Sequence, residues 1–281
     1  MTDVSLRRAI GPFRSPLLIL AILASLLFFI PFFVVIATSW TSGSFLLFPP
    51  TGFSLQWYES VIGDKLWTDP FKLSLLVSLI STVIAVVLGT LGALALRRIR
   101  SRTGARLLRT MFIVPMALPP VAYAVGLYSV NSTVRIFKPT LTAMIVGEAL
   151  LVMPYVFVLV STALGNSDPA LRPAAATLGA SWPLILWRVE LPPVLPNILA
   201  GAVFAFSVAF DEVVLPVFLT PVGQVTLPLK MLTASQEAFS PQLTAASTLI
   251  SLLALIVLGG VNLFSNRRAR RARASAKAKL A

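Results

Sequence analysis

Charge vanishes from this chain for long stretches at a time. A membrane-crossing helix needs roughly 20 mostly apolar residues, and six stretches fit: Leu17–Ser39, Leu73–Leu96, Thr110–Val130, Thr140–Ala163, Leu191–Leu219 and Leu243–Phe264. The second and sixth hold no charge. The fourth is interrupted only by Glu148, and the fifth contains Asp211 and Glu212. The pattern predicts an all-α, polytopic membrane protein with six transmembrane helices. Residues 1–16 are then an N-terminal tail, 17–264 the membrane domain and 265–281 a C-terminal tail. No short fixed repeat and no shift in composition divides the chain further.

Prolines mark where these helices depart from straight rods. Pro115, Pro119 and Pro120 imply a break in the third span, and Pro192, Pro193, Pro196 and Pro216 bend or start helices in the fifth. A broken span lines the pathway in some transporters; irregular packing explains one equally well. The long loop after the first span contains Pro49-Pro50-Thr51-Gly52 and the pair Trp57-Tyr58. It reads as an amphipathic segment on the outer surface, because Trp and Tyr collect at headgroup level.

Composition supports the same class. Of 281 residues, 57% are hydrophobic and 12% charged, where an ordinary soluble domain has roughly 25% charged. There is no cysteine and no histidine. Disulfides, Cys/His metal sites, Ser-His-Asp and Cys-His catalysis and HExxH zinc chemistry are therefore excluded. No GxxxxGK[ST] stretch is present, so this chain has no Walker-type ATP site. The first apolar run is too long for a signal-peptide core, and residues 36–44 show no convincing cleavage pattern, so this run is expected to remain as a span.

The net charge of +13 lies at membrane edges. With the N-terminus inside, 18 of the 23 Lys and Arg residues fall on the cytoplasmic side, six of them between Arg97 and Arg109 and seven in the tail from Arg267 to Lys279. Lys65, Lys72, Arg135, Lys138 and Lys230 fall outside. The positive-inside bias places both termini in the cytoplasm. The basic tail then reads as a topology anchor touching anionic membrane lipid, with no need of nucleic acid.

Three acids lie at membrane depth: Glu148, Asp211 and Glu212. An ionised acid there costs several kcal/mol unless paired or hydrated. All three are candidates for a cation pathway. They could equally hydrogen-bond helix ends or sit near the interface. On one continuous helix Asp211 and Glu212 would point about 100° apart. No Lys or Arg lies deep in any span, so an anionic substrate lacks an obvious counter-charge here.

The cytoplasmic segment between spans four and five is the most informative. Asp168-Pro169 is a helix-start signal, Ala174–Ala176 favour helix, and Gly179 can take the left-handed conformation that ends one. Ser181 can cap a second helix over Trp182–Val189, before Leu191-Pro192-Pro193 opens span five. The residues predict a helical elbow on the cytoplasmic face, either a connector or a shape for another protein to grip.

This elbow resembles the cytoplasmic signature of binding-protein-dependent ABC importer permeases, roughly EAA-x3-G-x9-I-x-LP. Ala174 and Ala175 match the alanines and Gly179 the glycine. Val189 stands at the Ile position, and Leu191-Pro192 match the LP. Pro173 replaces the Glu and Arg172 precedes it; an interior proline there could restart the helix. Phe53–Tyr58, Leu73–Arg98, Phe206–Val213, Thr226–Leu229 and Pro241–Thr248 resemble the spermidine/putrescine-type branch, so the resemblance covers about residues 15–265.

The resemblance implies a type I ABC importer permease (MetI-like) fold, with no cofactor, no metal and no catalytic residue. It implies ATP hydrolysis on separate ABC ATPase subunits, and a second, different permease subunit that pairs with this one as a heterodimer. It also implies an extracytoplasmic substrate-binding protein, a bacterial inner-membrane location and polyamine-like or other small organic cation substrates. The ATPase-coupling loop, about residues 165–190, would centre on Arg172, Pro173, Ala174, Ala175, Leu178, Gly179 and Ala180. An ion-gradient-driven secondary transporter, with the intramembrane acids as proton sites, is the alternative; the elbow pattern argues against it.

Overall fold

The computed structural model describes residues 14–134, 141–237, 239–256 and 259. The described residues form helices and connections with no β-strand. In chain order the helices are α1 (Arg14–Ser39), α2 (Gln56–Gly63), α3 (Lys65–Arg98), α4 (Arg102–Ala117), α5 (Pro120–Val134), α6 (Leu141–Gly165), α7 (Leu171–Thr177), α8 (Trp182–Ile185), α9 (Leu191–Phe210), α10 (Val214–Leu219), α11 (Leu227–Glu237) and α12 (Pro241–Ile256). Packing divides the chain into two units, residues 1–64 with 234–281, and residues 65–233.

In the first unit, α1 is almost wholly apolar after Arg14, and no residue from Leu18 to Ala37 is buried, whereas Thr38 and Ser39 at its end are. The chain then folds back on the end of α1. The Ser54 N–H donates to the Trp40 carbonyl at 2.7 Å. The Tyr58 hydroxyl on α2 meets Ser39 Oγ at 2.5 Å and accepts from Trp40 Nε1 at 2.8 Å. α12 starts with Pro241 after Ser240, whose Oγ accepts the Leu243 N–H at 3.3 Å. A capping Ser followed by Pro in the first helical position satisfies free N–H groups with a side chain and wastes none on the proline. Gln242 Nε2 donates to Ser60 Oγ at 2.7 Å, tying α12 to α2.

The second unit is organised around α3, α6 and the run that ends in α9. Its main core joins Ala85, Val152, Val156, Phe157, Val160, Val194 and Ala205. The helices approach closely because small residues face Val156 from two sides. A Cβ on Gly89 would lie 2.9 Å from Val156 Cβ, and one on Gly201 would lie 3.2 Å from Val156 Cα. Helix packing in a bilayer relies on such shape fit, since lipid is as apolar as the helices themselves. Phe112 of α4 stacks on Phe157 at 4.6 Å. A second core joins Val77, Ala124, Met144, Leu215 and Leu219.

Two expected spans differ from single rods. The third is α4 and α5, bent by 105°. The turn falls at Leu118, which is extended (φ −78°, ψ 140°), because a residue before proline is pushed out of the α region. The proline-marked break is thus present, and it is larger than a kink. The fifth expected span, Leu191–Leu219, starts earlier and stops earlier. The helical run begins at Trp182 and reaches Phe210 without interruption. It then breaks, and α10 resumes at Val214. Leu186–Glu190 form a π turn immediately before Pro192 and Pro193. The wider turn accommodates rings that would clash with carbonyls one α-turn back, so the prolines do not open a separate helix.

Among the described residues, four helices are long and apolar enough to cross a membrane, or five if the bent pair counts as one span. α12 is shorter as described, and residues 257–258 and 260–264 of the expected sixth span lie outside the described residues. So do residues 1–13, Arg135, Lys138 and the basic tail 265–281.

Candidate functional site

The elbow is assembled by backbone bonds that its residue types make available. Asp168 Oδ1 accepts the Ala170 N–H at 2.8 Å, closing a turn just ahead of α7. The helix starts at Leu171, with Ala170 in the capping position, two residues later than the Asp168-Pro169 signal suggested. Asp168 serves the preceding turn instead. Pro173 is therefore the third helical residue. A first-turn N–H has no intrahelical partner, so proline costs nothing there and does not restart the helix.

α7 ends as a Schellman motif. Gly179 has φ +81°. Its N–H donates to the Ala176 carbonyl at 3.0 Å, and the Ala180 N–H donates to the Ala175 carbonyl at 3.1 Å. Only glycine takes that backbone conformation without a Cβ penalty. α8 follows with Ser181 in the capping position, but the Ser181 side chain makes no capping bond. Its carbonyl accepts the Ile185 N–H at 3.0 Å.

The elbow presents Pro173, Ala174, Leu178 and Gly179 outward, while Arg172, Ala175 and Ala180 are half-buried. Leu178 is 88% exposed at the tip. The Arg98 guanidinium at the end of α3 lies 4.4 Å from the centre of the Trp182 ring. That contact brings the Arg-rich connection after α3 to the elbow, an arrangement sequence reasoning did not anticipate. An Arg and a Trp far apart in sequence carry no pairing signal. Behind the elbow a cleft of about 350 Å³ is lined by Asn166, Asp168, Leu171, Pro193 and Asn197 among others.

The three intramembrane acids occupy different surroundings. Asp211 and Glu212 sit in the break after α9, so they do not fan out from one helix as expected. Glu212 Oε1 accepts the N–H groups of Val214 at 2.7 Å and Leu215 at 3.1 Å. It caps α10, which is the helix-end role its position allowed. Asp211 is exposed. Beside it, Phe210 contacts Phe71 at 6.2 Å and Phe206 at 5.7 Å between ring centres. Phe71 was not singled out from sequence, and Phe206 and Phe210 entered only within the matching stretch Phe206–Val213, because their apolarity merges with the span around them. Glu148 of α6 is 2% exposed, with Ser81 of α3 beside its carboxyl. Among the described residues its Oε2 has no hydrogen-bond partner. The structure therefore separates a buried acid, a capping acid and an open acid.

No group of three or more metal-ligating side chains exists among the described residues. The elbow offers a rigid, exposed shape, and the break after α9 offers an acid with aromatic neighbours.

Comparison with known proteins follows the same lines. The chain is 27% identical over 230 residues to the spermidine/putrescine transport system permease protein PotC of Haemophilus influenzae, covering 82% of this chain and 88% of that protein. It is 27% identical over 251 residues to the putrescine transport system permease protein PotI of Escherichia coli K12, covering 84% and 86%. A crystal structure of a bacterial ABC transporter that imports the acidic polysaccharide alginate contains a chain with the same fold, at TM-score 0.72 and 17% identity, covering 94% of this chain and 99% of that one. The family model for the binding-protein-dependent transport system inner membrane component matches residues 83–271, which include the elbow, the bent pair and the break after α9. The chain belongs to that family, and it is a permease subunit of an ABC importer.

Proposed function

We propose that this permease carries polyamine-like small organic cations and receives its driving motion at the elbow from a separate ABC ATPase. The observation that carries the reading is the exposed, Schellman-closed α7, which falls on the Ala174-Ala175…Gly179 pattern. Beyond the locked turn, α8 is continuous with the membrane-length run that ends at Phe210, so the elbow acts as a lever: pushing its tip moves α9. Rigid elements that switch between two packings convert such a push into inward- and outward-open states. Arg172, Pro173, Ala174, Ala175, Leu178, Gly179 and Ala180 form the docking surface. Residues 17–264 form the permease domain, with both termini in the cytoplasm.

A second, non-identical permease completes the pathway, and an extracytoplasmic binding protein delivers substrate. The chain has affinity for membrane lipid and none for nucleic acid, and it needs no cofactor. Asp211 supports the cation reading, because an open carboxylate next to Phe206 and Phe210 suits an ammonium group through charge and ring faces together. Glu212 holds the break in shape, and Glu148 lies deeper in the packing. The polyamine systems to which PotC and PotI belong point to the same substrate class.

Reconstituted vesicles test the coupling. Uptake is expected only with the ATPase and ATP, and uptake that persists without ATPase but collapses with an uncoupler would replace this reading with ion-gradient transport. Cross-linking from residues 172–182 is expected to capture the ATPase. Binding of putrescine and spermidine to the partner binding protein tests the substrate; a protein that ignores all amines ends the polyamine reading and leaves the lever intact.

A further inference from the structure

The loop between α1 and α2 takes no part in the proposed coupling or substrate path, yet its construction is unusual. Residues 40–58 contain no charged side chain, whereas Glu59, Asp64, Lys65, Asp69 and Lys72 follow at once. The loop is closed at its base, where Tyr58 bonds to Ser39 and Trp40. The apolar segment Leu18–Ser39 has 22 residues, and at 1.5 Å per residue it is about 33 Å long. A bilayer core is about 30 Å thick. Ser39 therefore lies at the hydrocarbon edge, and Tyr58 is held at the same level. The loop leaves the headgroup zone and returns to it.

Its polar and apolar groups are arranged inside out. Trp57 Nε1 donates to the Thr41 carbonyl at 2.9 Å, Gln56 Nε2 to the Ser42 carbonyl at 3.0 Å, and Trp40 Nε1 to Tyr58. Meanwhile Phe45, Phe48 and Phe53 are 78%, 66% and 79% exposed, with Leu47 and Leu55 also more than half exposed. Rings outward and polar groups inward suit the headgroup–acyl boundary, where apolar bodies are buried without stripping water from charges. The absence of charge argues against a protein partner, since docking surfaces on a wet face carry a polar rim.

We propose that residues 40–58 form an aromatic finger inserted into the phospholipid leaflet that receives the C-terminal end of α1, with Phe45, Phe48 and Phe53 as its anchors. The finger fixes the depth of α1 independently of which solute is carried. Because the chain has no cysteine, single replacements F45C, F48C and F53C can each be labelled with an environment-sensitive fluorophore in the full-length protein. The labelled protein is placed in phosphatidylcholine–phosphatidylglycerol vesicles. The expected result is blue-shifted emission that is quenched by lipid brominated high on its acyl chains and spared by aqueous iodide. The quenching ratio is internal to each sample, so a lower yield of one variant does not blur it. Iodide quenching with no bromolipid effect at two of the three positions overturns the proposal. Shielding that appears only when the binding protein is added assigns the loop to a protein partner and overturns it too.

Discussion

Val156 and Leu178 belong to the same unit and have opposite surroundings. Val156 is fully buried, with Gly89 and Gly201 brought against it from two helices. Leu178 stands exposed on a helix locked from behind by Gly179. The first region is rigid because its neighbours leave no room. The second is rigid because its backbone bonds are closed, while its side chains are left unmatched. A membrane bundle gains little by hiding apolar groups from lipid, so its spine depends on fit. A leucine held out on a stiff, water-facing turn gains only if something covers it. The first region holds the fold together; under the proposed lever, the second is the surface a partner would cover.

Overfilling the spine should have the largest effect. In Gly89→Leu the new Cβ meets Val156 at 2.9 Å and the Phe157 backbone nitrogen at 3.0 Å, and forcing extra atoms into a packed core costs about 1–3 kcal/mol. The melting temperature of the purified protein should fall and aggregation should rise. An unchanged melt would mean that the spine is not tightly fitted. Gly179→Asp is the counterpart at the elbow. A side chain at φ +81° costs about 1–2 kcal/mol in the left-handed region. Melting should fall less than in the spine variant, while ATP-driven uptake is lost at matched expression; normal uptake contradicts the lever.

Glu212→Ala removes a carboxylate that holds two N–H groups of α10, and losing a cap costs about 1 kcal/mol. A modest fall in melting temperature is expected, smaller than for the spine variant. If uptake is lost with no change in melting, Glu212 belongs to the pathway and not to the helix end. The smallest effect is expected for Pro173→Glu. An acid in the first turn of a helix contributes about 0.3–1 kcal/mol through the helix dipole. The melting temperature should rise slightly with elbow-to-ATPase cross-linking kept, and a loss of cross-linking would show that proline shapes the docking face.

Much of this was legible before any coordinates. The Ala-rich start and Gly179 stop of α7 are local chemistry, and the pattern through Leu191-Pro192 identified the family that the comparisons show. The 105° bend between α4 and α5 was marked by Pro119 and Pro120, though its size was not. Other features were hidden. The fifth span looked continuous because a hydropathy window averages over residues 211–213 and cannot sense where helical bonds stop. Pro173 looked like a break because its position in the helix was counted from the wrong start.

The sequence by itself determined a lipid-embedded helical chain, its charge-poor spans and the turn chemistry of its elbow. These follow from the composition of a window and the φ preferences of single residues. Only the tertiary structure decided that Glu148, Asp211 and Glu212 have three different surroundings, that Arg98 covers Trp182, and that Gly89 and Gly201 close on Val156. Those facts depend on which distant groups share a few ångströms. A linear pattern of polarity does not contain them, because the same acid is buried, capping or open according to what the fold places beside it.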